Sequence, residues 1–138
     1  GVLKVVMVGN EAECKAAAAA GNFDISAAEI IDPENYAGFD EMVSTMVELR
    51  KGKQTAEECT ALLKKSNYFG TMLVKMGKAD CLLGGATYST ADTIRPALQL
   101  VKTKPGNKIV SSCFILVRPS ATGDKGRTSG QLLLHSGP

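Results

Sequence analysis

The chain has 138 residues, 44% of them hydrophobic, enough to bury a core within one domain of ordinary size. With 16 Lys and Arg against 14 Asp and Glu the formal charge is +2, and the basic residues are scattered rather than gathered into a stripe, which argues against a nucleic-acid partner. Trp is absent and no apolar run approaches the roughly 20 residues needed to cross a bilayer, so a soluble protein with no membrane partner is expected.

Val2 to Val8 is a valine-rich run stopped by Gly9-Asn10, the pattern of a buried parallel strand. Glu11 to Ala20 consists almost wholly of good helix formers, and Gly21 is its expected stop. The alanines let such a helix lie close on a sheet. Ala28 to Ile31 reads as a second strand closed by Asp32-Pro33. From Phe39 the apolar positions Met42, Val43, Met46, Val47 and Leu49 follow one helix face as far as Lys51-Gly52.

Thr55-Ala56-Glu57-Glu58 is a capping-box pattern, and Cys59, Leu62 and Leu63 form the buried face of the helix it opens. Ser66 or Asn67 caps the next helix, which carries Tyr68, Phe69, Met72, Leu73 and Met76 on one side and ends at Gly77. The methionines at this spacing are core residues. Ala79 to Leu83 reads as a buried strand, Ala97 to Lys104 as the body of a helix, and Pro105-Gly106 as a turn. Ile109 to Val117 is the most strand-like segment, Pro119 to Gly130 a polar surface loop, and Leu132 to Leu134 one more strand. Strands alternating with helices imply an α/β fold, a mainly parallel sheet covered by helices on both faces. No repeat or linker separates domains, so residues 1–138 are expected to form a single α/β unit.

Cys14, Cys59, Cys81 and Cys113 stand far apart without a CxxC pair, and His135 is the one histidine; no local metal motif results. Cys81 and Cys113 lie in apolar runs and are expected to be small buried hydrophobes. With no secretory signal in the first residues, a reducing cytoplasm fits best.

The stretch GGATYSTADTIRP, Gly84 to Pro96, joins the expected strand to a helix. Pro96 is tolerated in a first helical turn, which puts the helix start near Asp92 to Arg95 with Asp92 or Thr93 as N-cap. Gly84 to Ala91 then lies between the C-terminal edge of a strand and a helix N-terminus, where open α/β sheets place ligands. Free backbone amides, the hydroxyls of Thr87, Ser89, Thr90 and Thr93, and the fixed charge of Arg95 suit an oxyanion. The plainer reading makes Ser89 and Thr90 turn residues, Asp92 a cap and Arg95 a solvated charge. The stretch matches neither GxGxxG nor GxxxxGK[ST]. Nor does Ser89 have a nearby base, so a Ser-His hydrolase is not supported.

KADC at Lys78 to Cys81, followed by GGATYSTADTIRPALQLVKTKPG and IVSSCFIL, resembles the phosphate acetyltransferases, or phosphotransacetylases. Upstream, VVMVGNEAE, IIDP and FDEMVSTMVELRKGK resemble that family in the same order, so the likeness runs from about Leu3 to Arg118. It implies a three-layer α/β/α sandwich of the isocitrate/isopropylmalate dehydrogenase-like kind, of which residues 1–138 would be the N-terminal part of a phosphate acetyl/butyryl transferase domain. It implies reversible acetyl transfer between CoA and phosphate, with CoA or acetyl-CoA and phosphate or acetyl phosphate as substrates. No cofactor is needed beyond CoA as substrate, and a homodimer is expected.

In the family the CoA thiol attacks the acetyl phosphate carbonyl in a cleft between two α/β domains, and an arginine matching Arg95 helps hold the anions. Tyr88 stands where the family often has His. The resemblance also implies that a first strand and helix, a Ser-Arg pair and an Asp base have no counterpart here, so no residue is assigned a catalytic role. The alternatives are a non-catalytic CoA- or phosphate-binding or assembly module, and an acyltransferase acting on butyryl phosphate.

Overall fold

The computed structural model describes residues 2–85, 87–110, 113–119 and 130–136. The chain is α/β and divides into two compact units, Gly1–Lys102 and Thr103–Pro138.

In the first unit strand β1 (Val6–Val8) pairs in parallel with β2 (Glu29–Ile31), register Val6 to Glu29 and Val8 to Ile31. Helix α1 (Glu11–Gly21) makes the crossover between them that a parallel pair requires. Its N-cap is Asn10, whose side-chain oxygen accepts from the amides of Ala12 and Glu13 at 3.0 and 3.2 Å. It stops one residue later than expected: Asn22, not Gly21, takes the left-handed conformation with φ 58°. Asn tolerates that region because its short polar side chain bonds locally. Strand β1 is shorter than the valine run suggests and only half-buried, since Val2 and Leu3 are exposed.

The core forms where α2 (Phe39–Arg50), α3 (Ala56–Leu63) and α4 (Ser66–Lys75) converge. Met42 and Met46 from α2, Cys59 and Leu63 from α3, and Phe69 and Met72 from α4 have no solvent exposure. The expected capping box opens α3: the Glu58 amide donates to Thr55 Oγ1 at 3.2 Å, and the Thr55 amide donates to Glu58 Oε2 at 2.9 Å. Only Lys64 and Lys65 separate α3 from α4. Burial pushes the Cys59 thiol above its usual pKa range. Beside the core, Tyr36 meets Phe69 edge-on with ring centroids 5.3 Å apart, and Lys78 Nζ donates to the Tyr36 hydroxyl at 3.0 Å.

The structure departs from the sequence pattern in two elements. Ala79 to Leu83 is not a strand: among the described residues β1 pairs only with β2, and an apolar run without a ladder partner stays irregular. Leu83 is consequently 96% exposed, and Cys81 is exposed with it, as is Cys113. The second departure concerns Pro96: the helix already begins at Thr90, so Pro96 is the last residue of α5 (Thr90–Pro96) and not a first-turn residue, and the helical backbone runs on through it. A single π-helical turn, Ala97–Val101, follows and ends at Lys102, so no helix continues to Lys104. Pro96 and Leu100 are both buried, Leu100 within the unit core.

The second unit contains a turn, in which the Asn107 amide donates to the Lys104 carbonyl at 3.0 Å and Gly106 has φ 92°. It also contains an antiparallel ribbon of β3 (Cys113–Pro119) and β4 (Gly130–Ser136). The span from Pro119 to Gly130 is long enough for a return but shorter than a crossover with its helix. Most of the expected loop between Pro119 and Gly130 lies outside the described residues, as does Ala86.

Candidate substrate cleft

The N-terminal turn of α4 faces Gly84, Gly85 and the Thr87–Thr93 stretch across a cleft of about 200 Å³. Val8, Leu82 and Leu83 supply its apolar lining, Gly84 and Gly85 main chain, and Ser66, Asn67, Thr87, Tyr88 and Thr93 its polar groups. The glycines leave the main chain open: a Cβ built on either meets nothing within 4 Å, and Gly85 has φ 116°, a conformation that side chains disfavour.

Two hydrogen bonds hold the two walls together, and a third ties α4 to the turn that follows α5. Ser66 Oγ and the Tyr88 hydroxyl lie 2.8 Å apart. Asn67 Nδ2 donates to the Asp92 carbonyl at 2.8 Å, while its Oδ1 accepts from the Tyr68 amide at 2.9 Å. The Tyr68 hydroxyl donates to Gln99 Oε1 at 3.1 Å. The sequence pattern makes Ser66 or Asn67 a helix cap, but Lys65 holds the cap position of α4 and makes no side-chain cap bond. Both side chains are thereby available to cross the cleft.

The expected ligand residues separate into two groups. Thr87 and Thr93 line the cleft; Ser89, Thr90 and Arg95 are not part of its lining. Ser89, rather than Asp92 or Thr93, is the N-cap of α5: its Oγ accepts from the Asp92 amide at 3.2 Å and donates to Asp92 Oδ2 at 2.7 Å. Thr93 Oγ1 donates back to the Ser89 carbonyl at 3.0 Å. The Arg95 side chain is 59% exposed and pairs with Asp92 Oδ1 at 3.6 Å. Such an exposed pair is worth at most about 1 kcal/mol, so the guanidinium exchanges it easily for another anion.

Chemically the cleft offers hydroxyls, main-chain groups and a small apolar wall, suited to a small polar ligand bearing an apolar end. Among the described residues no group of three or more His, Cys, Asp or Glu side chains is placed to hold a metal ion. No helix among them is long and apolar enough to cross a membrane.

Residues 1–133 match the model of the phosphate acetyl/butaryl transferase family. A phosphate acetyltransferase of Bacillus subtilis (strain 168) is 49% identical over 117 residues, covering 85% of this chain and 36% of the relative. Among solved structures, a EutD phosphotransacetylase from Staphylococcus aureus superposes with a TM-score of 0.76 at 40% identity, covering 95% of this chain and 37% of that one. A phosphotransacetylase from Streptococcus pyogenes gives 0.78 at 41% identity, covering 97% and 38%. The chain therefore spans about a third of the length of the relatives it matches. A match that runs through the cleft and both of its walls identifies the chain as a member of the phosphate acetyl/butaryl transferase family.

Proposed function

We propose that the chain carries part of the substrate site of a phosphate acetyltransferase, which moves an acetyl group reversibly between CoA and phosphate. The observation that carries this reading is the cleft itself: an open glycine main chain flanked by Thr87 and Thr93, within a chain 49% identical to a phosphate acetyltransferase. Thr87, Ser89, Thr90, Thr93 and Arg95 are the proposed substrate-binding residues. Thr87 and Thr93 reach the cleft directly, and Arg95, outside its lining, would supply charge from the same helix as Thr93. The partners would be CoA or acetyl-CoA and phosphate or acetyl phosphate, CoA being a substrate and not a resident cofactor. The site is proposed to work in the cytoplasm, within a homodimer.

Catalytic groups are not assigned, so the 138 residues alone should turn over slowly or not at all. The test measures acetyl-CoA formation from acetyl phosphate and CoA, with calorimetric titration of CoA and phosphate into the parent and Arg95→Ala chains. Binding that weakens in Arg95→Ala, with little turnover, is the expected result. Robust turnover would mean that the reacting groups lie within these residues, and absence of binding to the parent would remove the substrate reading of the cleft.

A second reading is favoured by one observation: Ser89 already uses its hydroxyl as donor and acceptor within its own turn. On that reading the segment holds phosphate, CoA or another domain without chemistry. It predicts binding that Arg95→Ala weakens in the longest polypeptide containing this chain, with no acetyl transfer there. Transfer from butyryl phosphate in preference to acetyl phosphate would instead mark the butyryl branch of the family.

A further inference from the structure

We propose that Asn67 is a positioning residue for the Thr87–Arg95 segment, its side-chain amide standing in for the backbone amide that Pro96 lacks. In an α-helix the amide of residue 96 would donate to the carbonyl of Asp92, four residues earlier. Proline has no such hydrogen, and its ring pushes against that same carbonyl, tilting it outward. The Asp92 carbonyl would then lack its helical partner in a partly buried place, and an unpartnered group there costs about as much as a lost hydrogen bond or more. Asn67 Nδ2 meets it at 2.8 Å from a different helix, 25 residues away in sequence.

The donor is itself fixed. Asn67 Oδ1 accepts from the Tyr68 amide at 2.9 Å, which sets which end of the side-chain amide faces Asp92, and the Asn67 carbonyl accepts from Thr71 Oγ1 at 2.7 Å. The backbone then widens from Pro96 into a π-helical turn, a common outcome where the regular ladder is interrupted. Asn67 thus converts a broken ladder into a tie between α4 and the stretch bearing Ser89, Thr90, Thr93 and Arg95. The consequence for ligand binding rests on the substrate reading of the cleft; the substitution of one amide for another does not.

The test is a double-substitution cycle on the full chain, read by hydrogen exchange of the Thr93 amide, which donates to the Ser89 carbonyl. In the parent chain, Asn67→Ala should speed that exchange about tenfold, the effect of losing one partly buried bond and orphaning its acceptor. Pro96→Ala restores a backbone donor, and in that background Asn67→Ala should change exchange by less than about twofold. Asn67→Asp keeps the oxygen that takes the Tyr68 amide and removes the donor, so it should behave as Asn67→Ala does. Equal effects of Asn67→Ala in the two backgrounds would overturn the proposal. If Asn67→Ala alone fails to fold, restored folding in the Pro96→Ala background supports the proposal and failure in both overturns it. Where the parent binds phosphate or CoA, affinity should fall with Asn67→Ala and return in the double variant. A parent that binds neither overturns the substrate reading and leaves the exchange cycle to decide the role of Asn67.

Discussion

Asp92 is used on every side. Its amide donates to Ser89 Oγ, its carboxylate accepts from the same hydroxyl and faces Arg95, and its carbonyl takes the Asn67 amide. Because Ser89 makes two of these contacts, Ser89→Ala should lower stability by about 1 kcal/mol in urea unfolding, the usual effect of losing an N-cap. A smaller loss in Thr90→Ala, whose hydroxyl makes no cap bond, would confirm that capping is the cause. Asp24 permits a pH prediction. The Ser26 amide, donating to Asp24 Oδ1 at 2.9 Å, holds that exposed carboxyl below the usual Asp range, with the Ser26 side chain acting in the same direction. A folded pKa below the unfolded one contributes stability that is present above about pH 3.9 and is lost as pH falls through the folded value. Asp24→Asn should therefore flatten the acid limb of the stability profile, and an unchanged limb would show that the Ser26 bonds do not persist in solution.

Helix α4 is buried over the consecutive residues Tyr68 to Leu73, which an ordinary amphipathic helix does not achieve. Gly70 permits it: a Cβ there would lie 2.8 Å from Leu82 Cδ1, so the missing side chain is what lets the 80–85 segment lie against the helix. Gly70→Ala gains about 1 kcal/mol of helix propensity but must displace Leu82, which is 41% exposed and free to turn outward. The expected result is near-unchanged stability by urea unfolding with a widened cleft and altered phosphate affinity; a large loss of stability would mean that Leu82 cannot move. The elements legible in sequence are those fixed by neighbours along the chain. The Thr55-to-Glu58 cap and the Met42, Met46 spacing of α2 depend on residues three or four apart and appear as read. The Ala79 to Leu83 run is misread as a strand because a strand needs a partner that composition does not name. The start of α5 is misplaced from sequence because putting Pro96 in a first turn assumes that a helix supplies all its own donors. The tie from Asn67 lies in another element, and only the fold brings it near.

Taken whole, the first unit leaves Val2, Leu3, Phe23 and Leu83 between 71% and 99% exposed. Apolar surface of this kind favours association, and light scattering should show dimers or larger species; a monomer at high concentration would contradict the proposed homodimer. The close succession of α2, α3 and α4, with only Lys64 and Lys65 between the last two, has a consequence for how the protein reaches this state. Neighbouring helices close small loops at little entropic cost, whereas joining β1 to β2 waits for the whole of α1 to form between them. The three helices should therefore gather first and the ladder last. In stopped-flow chevrons, Met46→Ala and Leu63→Ala should slow refolding, while Val6→Ala should chiefly hasten unfolding. Reversal of that order would place the nucleus in the sheet.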